Sequence, residues 1–286
     1  MIAFLRNALN LLDEQGRVEV LKFVVSQQNP DGGFQDRGGR SDLYYSLFGG
    51  MTLKAAETDN RSPKNGVTHL EPETWNLELI KKLKHFIAFQ STVEVPGFIE
   101  KCCLVLLQKE LKTGRTSRIK AIISLGKSFW KERHSINLSY RSFVLFLTLD
   151  AVFPFRNILK MGAKRMLARI IVDANSPCSE VAAKVFLQKM LNQDGSKEQE
   201  LLKSFACESV GFKAFDHLNK ADMLSTAVAL FALNYAGCDL RLLKTSCLDF
   251  IQQNYSGGAF LSGDGDPTTD VEYTFYGLLA LGVLAD

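Results

Sequence analysis

The stretch 28-QNPDGGFQDRGGRSDLYYS-46 combines a glycine-rich turn, two arginines and an aspartate that precedes two tyrosines. A similar order of residues returns near the C-terminal end, in 250-FIQQNYSGGAFLSGDGDPTTDVEYTFYGLLAL-281. A third copy, 211-GFKAFDHLNKADMLSTAVALFAL-233, keeps the aspartate but has fewer glycines. Self-similarity of this kind is typical of a repeat architecture.

The three copies can be aligned on Asp42, Asp222 and Asp270. The columns that follow at offsets 3, 4, 7 and 11 then hold Tyr45, Ser225 and Tyr273; Ser46, Thr226 and Thr274; Gly49, Ala229 and Gly277; and Leu53, Leu233 and Leu281. These offsets describe one face of an α-helix. Each aspartate is therefore predicted to open a helix, and the small residues at offset 7 predict a close approach between neighbouring helices.

The distances between the copies predict the rest of the chain. Asp222 and Asp270 are 48 residues apart, and the 180 residues between Asp42 and Asp222 leave room for three more units of about this length. Further helical segments are predicted at 17–28, 76–90, 97–111, 116–131, 137–152, 156–172, 179–192, 199–208 and 240–254. The sequence thus predicts an all-α fold, a single (α/α)6 toroid over residues 1–286. It predicts a long loop at 57–74 and no strand.

Composition narrows the class of protein. The net charge of +3 is small and is interpreted as spread along the chain, so no nucleic-acid partner is expected. No apolar run reaches the roughly 18 residues that span a bilayer, so no membrane span is expected. The six cysteines form no CxxC pair, and no secretory signal is recognisable. A cytoplasmic protein with reduced thiols is expected.

The glycine turns that run from Gln28 to Phe34 and from Gln253 to Phe260 resemble those of a known superfamily. It comprises the α/α-toroids of protein prenyltransferase β-subunits and squalene/terpene cyclases. The resemblance implies the toroid fold, a central apolar cavity and an isoprenoid or other small apolar substrate. Because the β-subunits act together with an α-subunit, it also implies a possible protein partner.

Site residues can be transferred from this resemblance position by position. Arg37, Arg40 and Tyr45 match the groups with which prenyltransferases hold a prenyl diphosphate. Asp42 matches a zinc ligand of those enzymes, but Tyr44 and Tyr273 stand where the cysteine and histidine ligands would be. Asp222 and Thr226 match the Asp-x-Asp-Asp-Thr-Ala motif of class II cyclases, whereas Leu224 replaces the acid that protonates the substrate. No metal ligand set is therefore predicted from these matches.

Physical reasoning points to the same end of the ring. Parallel inner helices would bring their N-termini, with free N–H groups and partial positive charge, to one mouth that suits an anion. The expected cavity wall consists of Tyr44, Tyr45, Phe48, Tyr273, Tyr276 and the aromatic segment 140–153. The groups expected to supply an acid, a base or a metal ligand are Asp42, Asp222, Asp270, Glu272 and Tyr273. The acidic run Asp264, Asp266 and Asp270 could hold Mg²⁺.

Each of these interpretations has a structural alternative. The three aspartates are favoured N-cap residues, the glycines suit turns with positive φ, and the arginines could lie in a solvated turn. Two functions therefore remain open. The first is an isoprenoid-handling enzyme, prenyltransferase-like or terpenoid cyclase-like. The second is a non-catalytic toroid that acts as a lipid-binding or protein-interaction scaffold.

Overall fold

The aspartates that define the repeat stand directly before three helices of a ring. The computed structural model describes residues 1–57, 72–95, 97–113, 118–132, 138–152, 156–207 and 210–285. The inner helices of the ring are α3 (Leu43–Ala56), α5 (Phe98–Glu110), α7 (Leu138–Val152), α9 (Cys178–Met190), α11 (Met223–Ala236) and α13 (Val271–Val283). The outer helices are α2 (Glu14–Ser26), α4 (Pro72–Gln90), α6 (Arg118–Lys131), α8 (Arg156–Leu167), α10 (Ser196–Ser204) and α12 (Arg241–Gln253).

Each inner helix packs against the inner helices that precede and follow it, and α13 packs against α3, which closes the ring. The outer helices pack against the inner ones; α6 contacts α5 and α7, for example, and α8 contacts α7 and α9. Buried apolar side chains of the inner helices form most of the main hydrophobic core. The prediction of an all-α toroid with six helix pairs is confirmed.

The first turns of the inner helices meet at one end of the ring, which is called the mouth below. Tyr44 and Glu272, each two residues after a capping aspartate, are joined by a hydrogen bond of 2.7 Å between α3 and α13. Cys178, the first residue of α9, lies with its Sγ 3.9 Å from the carbonyl oxygen of Ser225 in the first turn of α11. The inner helices therefore run parallel, as the resemblance implies.

The motif phenylalanine of each clear repeat is clamped onto its own inner helix. The backbone N–H of Phe34 donates to the Ser46 hydroxyl at 2.9 Å, and Phe212 does the same to Thr226. A Cβ added to Gly49 would lie 2.4 Å from the Phe34 ring. The offset-4 hydroxyls and the offset-7 glycine thus receive the turn's phenylalanine. The small residues were expected to allow close approach between helices. Instead, the space beside the offset-7 glycine is occupied by the phenylalanine side chain.

The glycine turns also approach the backbone of the next outer helix. Gly32 has a φ of 92°, and a Cβ there would lie 2.2 Å from the carbonyl oxygen of Lys82 in α4. Gly258 has a φ of 88°, and a Cβ there would lie 2.3 Å from the carbonyl oxygen of Glu19 in α2. The turn of the last repeat therefore docks on the first repeat. Only glycine combines the left-handed backbone with this contact.

Short strands are present where none was expected. Strand β1 (Phe34–Gln35) pairs antiparallel with β2 (Ser41–Asp42), and β3 (Tyr255–Ser256) pairs with β4 (Ala259–Phe260). Two-residue strands are too short to produce an alternating pattern, so the sequence carries no signal for them. Most of the predicted loop at 57–74 lies outside the described residues.

Helix α1 (Ile2–Leu11) is an addition to the six pairs that the repeat did not predict. Arg6 Nε donates to the carbonyl oxygen of Ala55 at 3.4 Å, at the C-terminal end of α3. A Cβ added to Gly282, near the end of α13, would lie 1.9 Å from the carbonyl oxygen of Phe4. Helix α1 therefore lies at the end of the ring opposite the mouth. None of the helices in the described residues has the length and apolar character needed to cross a membrane.

Candidate functional site

The centre of the ring holds a cavity of about 490 Å³ to which all six inner helices contribute side chains. This volume lies within the range of roughly 300–1,000 Å³ that is typical of small-molecule sites. Of the residues expected in its wall, Tyr44, Phe48 and Tyr276 line it, as do Tyr140 and Phe143 of the aromatic segment. The wall is otherwise mainly aliphatic, so the cavity suits an apolar ligand.

Other predicted wall residues lie elsewhere. Tyr273 faces a second cavity, of about 580 Å³, at the mouth, and Tyr45 is not among the described residues that line either cavity. Phe146 packs in a core cluster between α7, α8 and α9. These residues were assigned to the wall from their aromatic character and their place on predicted inner helices, which does not determine the direction of each side chain.

All three repeat aspartates cap their inner helices. Asp42 Oδ1 accepts the backbone N–H groups of Tyr44 at 2.7 Å and Tyr45 at 3.1 Å. Asp222 Oδ1 accepts from Ser225 at 2.9 Å, and Asp270 Oδ1 accepts from Tyr273 at 2.8 Å. The carboxylates thus satisfy N–H groups that would otherwise be unpaired at the helix starts.

The second carboxylate oxygens of two of these residues have different surroundings. Asp222 Oδ2 is buried and has no hydrogen-bond partner among the described residues, and burial raises the pKa of this carboxyl. Asp270 Oδ2, in contrast, accepts a hydrogen bond of 2.8 Å from Arg37 Nε. Asp222, which lines the cavity at the mouth, therefore keeps one carboxylate oxygen without a partner among the described residues, and Asp270 does not.

The two arginines of the opening stretch also differ. Arg37 forms a second ion pair, of 2.8 Å, with Asp266, and its guanidinium lies 5.4 Å from the centre of the Tyr273 ring. Its hydrogen bonds to Asp270 and Asp266 raise the pKa of Arg37 further above its ordinary value. The Arg40 side chain is 86% exposed and lies 3.7 Å from the Asp36 carboxylate. An incoming anion would therefore meet Arg37 already paired with two carboxylates.

The acidic run does not form a cation site. Asp264 Oδ1 accepts from the backbone N–H of Asp266 and from the Ser262 hydroxyl, while Asp266 and Asp270 share the Arg37 guanidinium. No group of three metal-ligating side chains occurs within the part of the chain that the structure describes. Because a guanidinium already lies between these carboxylates, the arrangement does not fit Mg²⁺.

Glu272 is a partly buried carboxyl in the first turn of α13, at the mouth. The Tyr44 hydroxyl donates to Glu272 Oε1 at 2.7 Å, and burial raises the pKa of this carboxyl while the bonds from Tyr44 and Tyr45 oppose that rise. In the aligned repeats Glu272 stands two residues after its aspartate, where the fifth repeat has Leu224. Glu272 is thus hydrogen-bonded to Tyr44, a residue that lines the central cavity.

A second carboxyl, Glu180, was missed by the sequence analysis. It lies in the first turn of α9 and lines the central cavity directly. Burial raises the pKa of Glu180, and a hydrogen bond from Ser139 of α7 opposes the rise. The N-cap of α9 is Pro177, so an alignment on aspartates does not reach this repeat. The available signal was an acidic residue in the first turn of a predicted inner helix.

The cysteines are all free, which agrees with the expectation of reduced thiols. Cys103 lines the central cavity, and burial raises its pKa well above the ordinary value. A thiol of raised pKa is a poor nucleophile at neutral pH. Among the groups that line the cavity, the Glu180 carboxyl is suited to proton transfer.

Comparisons with known proteins identify the fold. Neither the protein-family models nor the curated proteins include a match to this sequence. Among solved structures, the chain resembles the type II terpene cyclase MstE from Scytonema in its apo form. The two share 12% sequence identity at a TM-score of 0.58, over 100% of this chain and 98% of the cyclase chain. This chain therefore has the α/α-toroid fold of a type II terpene cyclase.

Proposed function

We propose that this protein handles isoprenoids in the manner of a terpenoid cyclase and binds the apolar tail of a prenyl diphosphate in its central cavity. The observation that carries the proposal is a cavity of about 490 Å³ with an aromatic and aliphatic wall and a partly buried carboxyl, Glu180, in that wall. The likeness to a type II terpene cyclase over the full chain supports it at the level of the fold.

Two carboxyl groups are suited to proton transfer in this cavity. Glu180, which lies in the wall, would donate a proton to an alkene carbon of the bound chain and become a carboxylate. The resulting carbocation would face the rings of Phe48 and Tyr276 and would lose a proton to Glu272 through the Tyr44 hydroxyl. The overall step is an isomerisation, because one proton enters and one leaves. The diphosphate would remain attached.

The head group would bind at the mouth. Arg37 and Arg40 lie there, together with the N-terminal turns of the inner helices. Because Asp266 and Asp270 already pair with Arg37, we propose that the diphosphate displaces these carboxylates when it binds. The predicted partner is then a prenyl diphosphate rather than an uncharged isoprenoid.

The binding part of the proposal is tested with a variant that fills the cavity. Val228 lines the cavity, so Val228→Trp should weaken binding of farnesyl and geranylgeranyl diphosphate at least 10-fold in an equilibrium titration. Val18→Trp, at an exposed position of α2, is the matched control and should bind like the wild type. Equal binding by both variants would contradict a ligand in the central cavity.

The head-group part is tested with the double variant Arg37→Ala/Arg40→Ala. Two charged hydrogen-bonding contacts are worth about 2–4 kcal/mol in all, so the diphosphates should bind roughly 30- to 1,000-fold more weakly. The corresponding alcohols, farnesol and geranylgeraniol, should bind equally to the wild type and the double variant. If the diphosphates also bind equally to both proteins, the head group does not contact these arginines.

The catalytic part is tested by product analysis. Incubation with either diphosphate should yield a cyclic product of unchanged mass, detected by mass spectrometry after phosphatase treatment. Glu180→Gln should abolish this product and Glu272→Gln should reduce it, while both variants still bind the substrate. Glu200→Gln, at an exposed position of α10, is the control and should leave product formation unchanged.

The second function, a non-catalytic lipid-binding scaffold, is favoured by one observation. Arg37 is already neutralised by Asp266 and Asp270, which lowers the benefit that a diphosphate gains at the mouth. This alternative predicts that alcohols bind as tightly as diphosphates and that no product forms. The same titration and product analysis therefore separate the two functions.

A further inference from the structure

Charge is distributed unevenly over the molecule, which corrects the expectation that it is spread along the chain. Residues 75–172 contain 18 of the 34 lysines and arginines but only 6 of the 31 acidic residues, a net charge of +12. The remainder of the chain carries −9. Because 75–172 includes most of α4 and all of α5 to α8, the positive charge lies on one side of the ring.

Helix α6 presents part of this charge on a face that also carries large apolar side chains. Lys120, Ile123, Lys127 and Trp130 follow one another at helical spacing, and all four are exposed. The exposed fraction is 52% for Ile123 and 69% for Trp130. Exposed tryptophan and isoleucine between lysines are typical of a helix that lies in a membrane interface.

Helix α8 continues this surface. Met161, Lys164, Arg165 and Arg169 lie on one exposed side of α8 and of the residues that follow it, and Ile171 beyond them is 85% exposed. Helices α6 and α8 both pack against α7, so they are neighbours on the outside of the ring. The exposed residues of α6 and α8, together with Arg169 and Ile171, are called the basic wall below.

The basic side chains of this wall are available for an external partner. None of Lys120, Lys127, Lys164, Arg165 and Arg169 has an ion-pair partner among the described residues. On the outer helices across the ring, in contrast, exposed acidic residues are present, such as Glu14 in α2 and Asp249 in α12. An anionic partner is therefore expected to bind at the basic wall and not at the side of the ring formed by α2 and α12.

We propose that the basic wall docks the protein on the surface of an anionic lipid membrane. Lysine and arginine would pair with acidic head groups, while Trp130, Ile123 and Met161 would insert between them. A nucleic acid would also pair with the cations, but its phosphate backbone would not bury the exposed side chains of isoleucine and methionine. The proposal is independent of the catalytic assignment, although a membrane is also where apolar isoprenoid chains dissolve.

Vesicle co-sedimentation tests the electrostatic part. The wild type should bind vesicles of phosphatidylcholine mixed with phosphatidylserine and should bind pure phosphatidylcholine vesicles much more weakly. Reversal of three charges in Lys127→Glu/Lys164→Glu/Arg165→Glu should reduce binding by roughly 100-fold or more, since each basic residue is attracted to an anionic surface and each glutamate is repelled by it. Raising the salt concentration should release the wild type, because salt shortens the range of the attraction.

The matched control reverses three exposed cations outside the basic wall, Lys22→Glu/Lys197→Glu/Arg241→Glu. It changes the net charge by the same amount, so equal losses in the two triple variants would overturn a specific docking surface. The proposal is also overturned if the wild type fails to bind the anionic vesicles or binds only RNA or an acidic protein. Circular dichroism of each variant should match the wild type, which excludes misfolding as the cause.

Fluorescence tests the insertion. The sequence has two tryptophans, so Trp75→Phe leaves Trp130 as the single reporter. Its emission should shift to shorter wavelength on anionic vesicles and should be quenched by brominated lipids. An unchanged spectrum on vesicles that bind the protein would overturn insertion of the basic wall. Ile123→Ser/Met161→Ser should weaken binding, while Leu242→Ser, at an exposed position of α12, should not.

Discussion

At the scale of single residues, the mouth shows how one side chain can be required for folding and be available for chemistry. Asp42, Asp222 and Asp270 each use one oxygen to cap a helix. Only Asp222 keeps the other oxygen buried without a partner among the described residues. Glu272 and Glu180 cap no helix, so their carboxyl groups are free to change protonation state without loss of a helix start.

Glu272 should make stability depend on pH. Burial raises the pKa of its carboxyl, so between the ordinary and the raised pKa the folded state binds more protons than the unfolded state. The free energy of unfolding contributed by this group is therefore highest at low pH and falls as the pH rises through that window. In Glu272→Gln the side chain cannot ionise, so this decline should disappear.

Urea unfolding of the wild type and Glu272→Gln at several pH values, from about 4 to 8, measures this effect. As the pH rises, the free energy of unfolding of the wild type should fall relative to that of Glu272→Gln. Glu200→Gln, at an exposed position, controls for the loss of one charge. A difference that stays constant over the pH range would contradict a partly buried Glu272 whose pKa is raised in the folded state.

At the scale of elements, each clear repeat is held together by contacts between the phenylalanine of its glycine turn and the inner helix that follows. Phe34 and Phe260 are almost fully buried, and each lies against a glycine at offset 7, Gly49 and Gly277. Each phenylalanine also donates its backbone N–H to a hydroxyl at offset 4. The columns found in the sequence are thus contacts within one repeat, which is why they recur at constant spacing.

Gly277→Ala should destabilise the protein. A Cβ at this position would lie 2.3 Å from Cγ of Phe260, so the ring or the helix would have to move, at a cost of about 1–3 kcal/mol. Urea or thermal unfolding measures the loss. Gly126→Ala in α6 is the matched control: nothing lies within 4 Å of its added Cβ, so it should be neutral or stabilise by up to about 1 kcal/mol.

A double-mutant cycle with Phe260→Leu separates this contact from helix propensity. If the overlap with Phe260 is the cause, Gly277→Ala should cost less in the Phe260→Leu background. If Gly277→Ala lowers the free energy of unfolding equally in both backgrounds, the contact with Phe260 is not the cause. Equal effects of Gly277→Ala and Gly126→Ala would contradict it as well.

The elements differ in how far the sequence predicted them. Helices were predicted within a few residues; α2, for example, spans Glu14–Ser26 where 17–28 was expected. Apolar periodicity suffices for this because each helix buries one face. Helix α1 was not predicted, since it belongs to no repeat, and the strand pairs were not predicted, since two residues show no period. Helix α9 was predicted, but Glu180 in its first turn was overlooked because Pro177 stands where the three aligned repeats have aspartate.

At the scale of the whole molecule, the ends of the chain close the ring. Helix α13 packs against α3, the last glycine turn docks on α2, and α1 packs against α13. Each inner helix therefore depends on both neighbours, and none of the described inner helices is at an edge. This arrangement supports the prediction of a single domain over residues 1–286, which stays a prediction.

A single domain predicts one cooperative unfolding transition. Circular dichroism in the far and near ultraviolet should report the same urea midpoint, because loss of any helix pair opens the ring. Removal of residues 271–286, which include α13, should abolish the transition, not merely shift it, since α1, α3 and α11 would each lose a packing partner. Two separate transitions, or a cooperative truncated protein, would contradict the single domain.

The local features of this protein can be derived from its amino-acid sequence: the repeat, the capping aspartates, the glycine turns and the six helix pairs. Each depends on residues within one repeat, so spacing along the chain records it. Which charges meet, and whether the centre is open, depend on the folded arrangement of all the repeats. Arg37 pairs with Asp270 and Tyr44 with Glu272 across more than 220 positions, because ring closure brings the first and last repeats together. The cavity likewise depends on how side chains from six helices fill a shared space, and no segment of the chain encodes that alone.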